Sequence, residues 1–276
     1  MPELPEVETV RRTLEKLIVG ETIAAISVGW PKMIKKPDDV HAFKARAEGQ
    51  SISAVRRQGK FLLIDLEDDV LVSHLRMEGK FAVKAAEEEI DPHVHARFTF
   101  LSGQELRYKD VRKFGTLHLF ASGEEVGNAP LNKLGPEPFD LEFTADYLLK
   151  ALNKTSRAVK NALLDQALVA GLGNIYVDES LFHAQIHPQR RGTTITADEA
   201  AALHAAVKAT LQQALDMGGT SIRSYLNGAG EIGYFQQFLH VYGRVNENCR
   251  VCGTAIERSV VGGRGTHTCP VCQPGL

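Results

Sequence analysis

The chain opens Met1-Pro2-Glu3-Leu4-Pro5-Glu6-Val7-Glu8, and this stretch carries chemistry that no interior segment can offer. Removal of the initiator Met, usual when proline follows, leaves Pro2 with a free secondary amine. An α-amine titrates near about 7.7–8.0, so a useful share of it is a neutral nucleophile at cell pH. Amines of this kind attack electrophilic carbon and form Schiff bases. From a secondary amine the product is an iminium with no N–H to lose, so the adduct stays cationic and draws electrons from neighbouring bonds. Glu3 adds a carboxyl that can trade protons with substrate or nucleophile. The same residues also read as a helix start. Pro5 suits the first helical position, Glu6 and Glu8 suit the positive end of the helix dipole, and Leu4, Val7, Leu14 and Leu17 form one apolar stripe. Both readings hold at once if the helix presents the terminus.

A second chemical cluster lies at the other end. All four cysteines fall in Cys249-x2-Cys252-x16-Cys269-x2-Cys272. Two thiolate pairs separated by a hairpin-sized loop fit tetrahedral zinc, and four sulfurs leave no open position for water, so the ion is structural. Disulfides suit a cytosolic chain poorly, and redox CxxC chemistry would want a βαβ context that this segment lacks. Inside the loop, Gly262-Gly263-Arg264-Gly265-Thr266-His267 reads as a tight turn holding out a guanidinium.

The elements that must position these groups are legible in outline. At 276 residues the chain is long enough for two domains, and 43% hydrophobic with 24% charged residues is an ordinary globular balance. A net charge of −2 argues against a wholesale polyanion binder, so nucleic acid would need a local basic surface. No apolar run approaches a membrane span and no signal peptide opens the chain, so the expected location is cytoplasmic. After the first helix, Thr22–Trp30, Phe61–Leu66, Val70–Leu75, Ala96–Leu101 and Phe114–Ala121 read as strands whose spacing suits an antiparallel sandwich or barrel. Residues 122–142 collect Gly, Asn and the prolines Pro130, Pro136 and Pro138, which marks an interdomain link. From Thr144 the pattern turns helical, and Thr196-Ala-Asp-Glu199 is a capping-box signature before an alanine-rich run to Met217. The resulting partition is 1–130, a linker at 131–142, a helical domain at 143–240 and a cysteine hairpin at 241–276.

Taken together, Met1-Pro-Glu-Leu-Pro-Glu-Val-Glu-Thr9, the four-Cys hairpin with its Gly-Arg-Gly-Thr, and four blocks between them resemble one family. The blocks are Gln58-Gly-Lys60-Phe, His74-Leu-Arg-Met77-Glu-Gly79, Arg107-Tyr-Lys-Asp-Val-Arg112-Lys-Phe114-Gly115 and Gly171-Leu-Gly-Asn174-Ile-Tyr-Val-Asp-Glu179. Each block is modest alone, and their shared order is specific. The family is formamidopyrimidine-DNA glycosylase, a bacterial base-excision repair enzyme of oxidised purines.

The resemblance implies an α+β multi-domain fold. It comprises an N-terminal β-sandwich bearing the nucleophile helix, a helical helix–two-turn–helix domain, and a zinc finger that holds one structural Zn2+. It implies a monomeric, nucleoid-associated glycosylase and AP lyase whose partner is double-stranded DNA carrying 8-oxoguanine or a formamidopyrimidine. By the same resemblance Pro2 is the nucleophile, Glu3 the adjacent acid/base, Lys60 a phosphate contact and proton carrier, and Arg264 the hairpin arginine that grips phosphates and assists the last elimination. Met77, Arg112 and Phe114 match a set that fills the hole left by a flipped base, which goes with cytosine opposite the lesion. His74, His93, Arg157 and Asn174 match positions that contact phosphates or support such contacts. Thr220-Ser-Ile-Arg-Ser-Tyr225 matches the loop over the flipped base. Two alternatives stand beside this: an endonuclease VIII-like enzyme for oxidised pyrimidines, and a non-catalytic zinc-stapled DNA-binding protein. Leu4 and the Met77/Arg112/Phe114 set favour the purine branch over the first. Intact Pro2, Glu3, Lys60 and Arg264 speak against the second.

Overall fold

The computed structural model describes residues 1–220 and 233–275. These fall into two compact units, Met1–Asn132 with Gly218–Gly233, and Lys133–Met217 with Tyr234–Leu276.

The first unit begins with α1 (Leu4–Ile18). Its buried stripe is Leu4, Val7, Val10, Leu14 and Ile18, and each such side chain contributes about 1.5–3 kcal/mol on burial. Leu17, expected on this stripe, is 40% exposed, because Ile18 lies one full turn beyond Leu14 and takes the inward place. There follow β1 (Ile23–Val28), β2 (Ile34–Lys36), α2 (Val40–Ala47), β3 (Ala54–Gln58), β4 (Phe61–Asp65), β5 (Asp69–His74), β6 (Lys80–Ala85), β7 (Val94–Phe100), β8 (Gln104–Lys109) and β9 (Thr116–Ala121). One sheet runs β1-β7-β8-β6 and a second runs β2-β9-β5-β4-β3, antiparallel except for β2 against β9. Side chains of both sheets share one core with α1, including Ile26, Phe98 and Leu106 from the first and Val55, Ile64 and Leu119 from the second. This is the expected sandwich. Phe114 lies outside β9, because residues 110–115 form a turn that feeds the strand.

The second unit holds α3 (Ala145–Asn153), α4 (Val159–Leu163), α5 (Asn174–His183) and α6 (Ala197–Asp216), then a hairpin of β10 (Glu257–Val261) and β11 (Arg264–Thr268). The expected capping box opens α6: Thr196 Oγ1 accepts from the Glu199 N–H, and Glu199 Oε2 accepts from the Thr196 N–H. The β10–β11 turn is Gly262-Gly263, both at positive φ (+56° and +74°), the backbone a two-residue hairpin with native twist requires. A Cβ at Gly262 would also fall 1.6 Å from the Asn161 amide. Among the described residues no helix is long and apolar enough to cross a membrane.

Candidate active site and nucleic-acid interface

In the first unit, α1 and β3 run antiparallel with a register fixed by two contacts. Arg57 Nε donates to Glu8 Oε2 at 3.1 Å, and Arg11 Nη1 donates to the Val55 carbonyl at 3.2 Å. One turn before Glu8 lies the start of the helix; one residue beyond Gln58 lies the β3–β4 turn. The antiparallel pairing therefore points the N-terminal end of α1 toward the β3–β4 turn at Gly59 and Lys60. Gly59, at φ +57°, allows this two-residue turn, and Gln58 pairs directly with Phe61 across it. Pro2, Glu3 and Lys60 are all buried, whereas Met1 is exposed.

Glu6, read from sequence as a dipole-compensating residue, does more. Its Oε2 accepts from the Glu3 N–H at 2.9 Å. Its Oε1 accepts from the Thr220 N–H and hydroxyl at 2.8 and 3.0 Å. One carboxylate thus fixes the first turn of α1 and anchors Thr220, the residue at which the 220–225 loop begins. The expectation for the rest of that loop lies outside the described residues. The sequence carried no signal for this bridge, since it spans more than two hundred positions.

His74, at the end of β5, is buried beside Phe61, with ring centroids 4.6 Å apart in an edge-on arrangement. Its Nδ1 accepts from the Arg76 N–H at 2.9 Å, so the neutral ring keeps Nε2–H as its donor. Burial, with help from the charges of Arg76, Lys60 and His118, pushes its pKa down to about 3. It can therefore donate a hydrogen bond to phosphate but cannot supply a cation.

Met77, Arg112 and Phe114 come together. Arg112 Nη1 lies 2.8 Å from Met77 Sδ, and its guanidinium sits 4.8 Å above the Phe114 ring. Met77 is 42% exposed and Phe114 51%, so neither is the core residue its type would suggest. Asp110, unremarked in the sequence, builds the turn that holds them. Its buried carboxylate accepts from the N–H groups of Arg112, Phe114 and Gly115 at 3.0, 2.9 and 2.8 Å. Its own N–H donates to the His93 carbonyl at 3.0 Å, which brings His93 to the base of this turn. Tyr108 runs between the two loops: a Cβ added at Gly79 or Gly115 would fall 2.1 or 1.6 Å from its hydroxyl.

In the second unit the hairpin arginine is positioned by a buried network. Lys160 Nζ donates to Asp178 Oδ1 at 2.6 Å, with both side chains fully buried, and to the Gly265 carbonyl at 2.9 Å. Asn174 Nδ2 donates to the same carbonyl at 2.9 Å. Asp178 Oδ2 accepts from the His267 backbone N–H at 3.0 Å. The network grips the residues just after Arg264 and leaves its guanidinium exposed at the turn. Sequence reasoning missed Lys160 and Asp178, which only long-range contacts bring into play. Arg157 is also exposed, held by Asp165 at 3.0 Å and by Thr155 Oγ1 at 3.1 Å.

The four cysteine sulfurs form one group, with Sγ–Sγ distances of 3.9 Å for Cys249–Cys272 and 3.3 Å for Cys252–Cys269. Sulfurs about 2.3 Å from a tetrahedral zinc stand about 3.8 Å apart, so the residues fit the ion. The Val251 and Cys272 N–H groups donate to Cys249 and Cys269 Sγ at 3.4 Å each, which suits thiolates. This is a site for one structural Zn2+.

Comparison with known proteins agrees with this anatomy. Residues 1–117 match the formamidopyrimidine-DNA glycosylase N-terminal domain, 134–225 the formamidopyrimidine-DNA glycosylase H2TH domain, and 246–275 the zinc finger found in FPG and IleRS. A formamidopyrimidine-DNA glycosylase of Halalkalibacterium halodurans is 58% identical over 273 residues, covering 99% of this chain and all of that one. One of Shouchella clausii is 59% identical over 274 residues, covering 99% of each. Among solved structures, the Lactococcus lactis Fpg in complex with abasic-site DNA superposes with a TM-score of 0.92 at 41% identity. The wild-type L. lactis protein with DNA containing N7-benzyl-Fapy-dG gives 0.92 at 42%. Each covers 99% of this chain and 100% of that one.

Proposed function

We infer the chemistry that follows from one premise: this chain belongs to the formamidopyrimidine-DNA glycosylase family. It is a zinc-containing DNA glycosylase of base-excision repair that acts on damaged purines, with the AP-lyase activity of its family. On that footing we assign its partner as double-stranded DNA carrying 8-oxoguanine or a formamidopyrimidine, its state as a monomer, and its location as the bacterial cytoplasm, at the nucleoid. The working divisions are 1–130 for catalysis, 131–142 as linker, 143–240 for DNA binding and 241–276 for the zinc hairpin.

The lesion leaves the stack before its sugar can be reached, and Met77, Arg112 and Phe114 fill the space. The Pro2 nitrogen then bonds to C1′ as the C1′–base bond breaks, and the base departs with that electron pair and a proton. Glu3 gives a proton to the ring oxygen, the sugar opens, and the nitrogen–carbon pair becomes an iminium. Loss of a C2′ proton to a base, with Lys60 beside the nucleophile, expels the 3′ phosphate. A second proton loss expels the 5′ phosphate, with Arg264 on the phosphate charge. Water then releases Pro2. Zinc supplies no step; it holds the hairpin that carries Arg264. Neutral His74, His93, Arg157 and Asn174 position phosphates. The observation that best supports this reading is the antiparallel register of α1 on β3, which points the N-terminal end of α1 toward the β3–β4 turn that carries Lys60.

Borohydride tests it. The trimmed, zinc-loaded protein with 8-oxoguanine duplex should yield a covalent protein–DNA adduct, and thymine-glycol duplex far less. An N-terminal extension that masks Pro2 should abolish both adduct and cleavage while duplex binding persists. Cleavage by the extended protein would remove Pro2 from the mechanism.

A further inference from the structure

We propose that Glu179, His183 and His240 form a second metal site, separate from the four cysteines and suited to a borderline divalent ion such as Zn2+, Ni2+ or Co2+. The three residues bring one ligand atom each to within 4.8 Å of the others. Glu179 and His183 stand four apart on α5 and so project from one face, while His240 comes from the chain that leads into the cysteine hairpin.

The carboxylate is fixed and nearly saturated. Glu179 Oε1 accepts from the Val241 and Tyr242 N–H groups at 2.9 and 2.8 Å, and Oε2 accepts from the His240 N–H at 2.8 Å. Two oxygens offer about four acceptor positions, so one remains, on Oε2. That oxygen lies 3.6 Å from His240 Nδ1, too far for a hydrogen bond. Nδ1 is itself a buried atom with no hydrogen-bond partner among the described residues. Two ligands on one tetrahedral ion, each about 2.0–2.1 Å from it, stand about 3.3–3.4 Å apart. For this one pair the gap is close to what a shared ion asks for. Phe182 stacks on the His240 ring at 5.3 Å and holds its plane. The His183 ring meets it edge-on at 4.5 Å, and His183 is exposed, which leaves an entry path.

Two imidazoles and one carboxylate select such ions over calcium or magnesium, and three protein ligands leave a position for water. Bound there, an ion ties the last turn of α5 to the segment before Cys249. Phe182, Val241 and Cys249 already share one apolar cluster there.

Cobalt is the probe, added to protein that holds its single cysteine-bound zinc. The expected result is a second equivalent with weak visible bands and no thiolate charge-transfer band in the near ultraviolet. His183→Ala and His240→Gln should each weaken that binding at least about a hundredfold, since even an indirect partner of a ligand costs about 10- to 100-fold when lost. Their zinc content should stay at one. No second equivalent at sub-millimolar cobalt, thiolate bands alone, or unchanged affinity in both variants would overturn the proposal.

Discussion

At the scale of single residues, burial sets protonation. His74 is pushed down to about 3 and His118 to about 4, in each case first by removal from water. Between those values and about 6.5 the unfolded chain takes up protons that the folded chain refuses. Stability therefore falls as pH drops through that window. For His74 the slope reaches about 1.4 kcal/mol per pH unit, with less from the partly exposed His118. Denaturant unfolding in stepped buffers checks this: His74→Gln with His118→Gln should flatten the acid limb, and an unchanged slope would mean that neither histidine is held neutral. The residue scale is also where the sequence was most informative. Pro2, Glu3, Lys60 and Arg264 could be proposed because each sits in a short motif that resembles the family's. Glu6, Asp110, Lys160 and Asp178 could not, because their partners are distant in sequence or are backbone groups whose direction follows from the fold.

At the scale of elements, the two turns that present Met77, Arg112 and Phe114 are shaped by backbone, not by side-chain propensity. Arg76 and Lys113 adopt positive φ (+54° and +57°), which costs a non-glycine residue about 1 kcal/mol or more, and Asp110 offsets the second of these by accepting three N–H groups. Tyr108 fills the space between the turns, and its hydroxyl has no hydrogen-bond partner among the described residues. Two opposite outcomes follow. Gly115→Ala should cost about 2–4 kcal/mol by driving a methyl into the Tyr108 ring, whereas Tyr108→Phe should be close to neutral, since it removes a buried polar atom that is unpaired. Thermal melts of both decide it; a Tyr108→Phe variant that melts far lower would show that the hydroxyl has a partner in solution. The strands are a lesson at this scale too. The five apolar runs were legible, but β2, β3, β6 and β8 are short, charged or half-exposed, and their place comes from pairing with neighbours.

At the scale of the whole molecule, a net charge of −2 leaves DNA affinity to local cations on particular elements. The zinc hairpin, which holds out Arg264, is proposed as one such element. Cys249→Ser should release the ion, collapse the turn that holds out Arg264, and weaken duplex binding with a shallower dependence on salt, while the melting of the β-sandwich is preserved. Binding isotherms at several salt concentrations check it; an unchanged slope would take the hairpin out of the interface. The sequence by itself determined the ligand set of the zinc, because four cysteines at fixed short spacing carry it, and a strand-rich half followed by a helical one; the full fold and the roles proposed for the two ends came from motifs shared with the family. Only the tertiary structure decided that α1 lies antiparallel to β3, that Met77 and Phe114 face solvent, and that a buried lysine–aspartate pair steadies the arginine turn. Those facts depend on which distant surfaces exclude water together, and a local pattern does not carry that information.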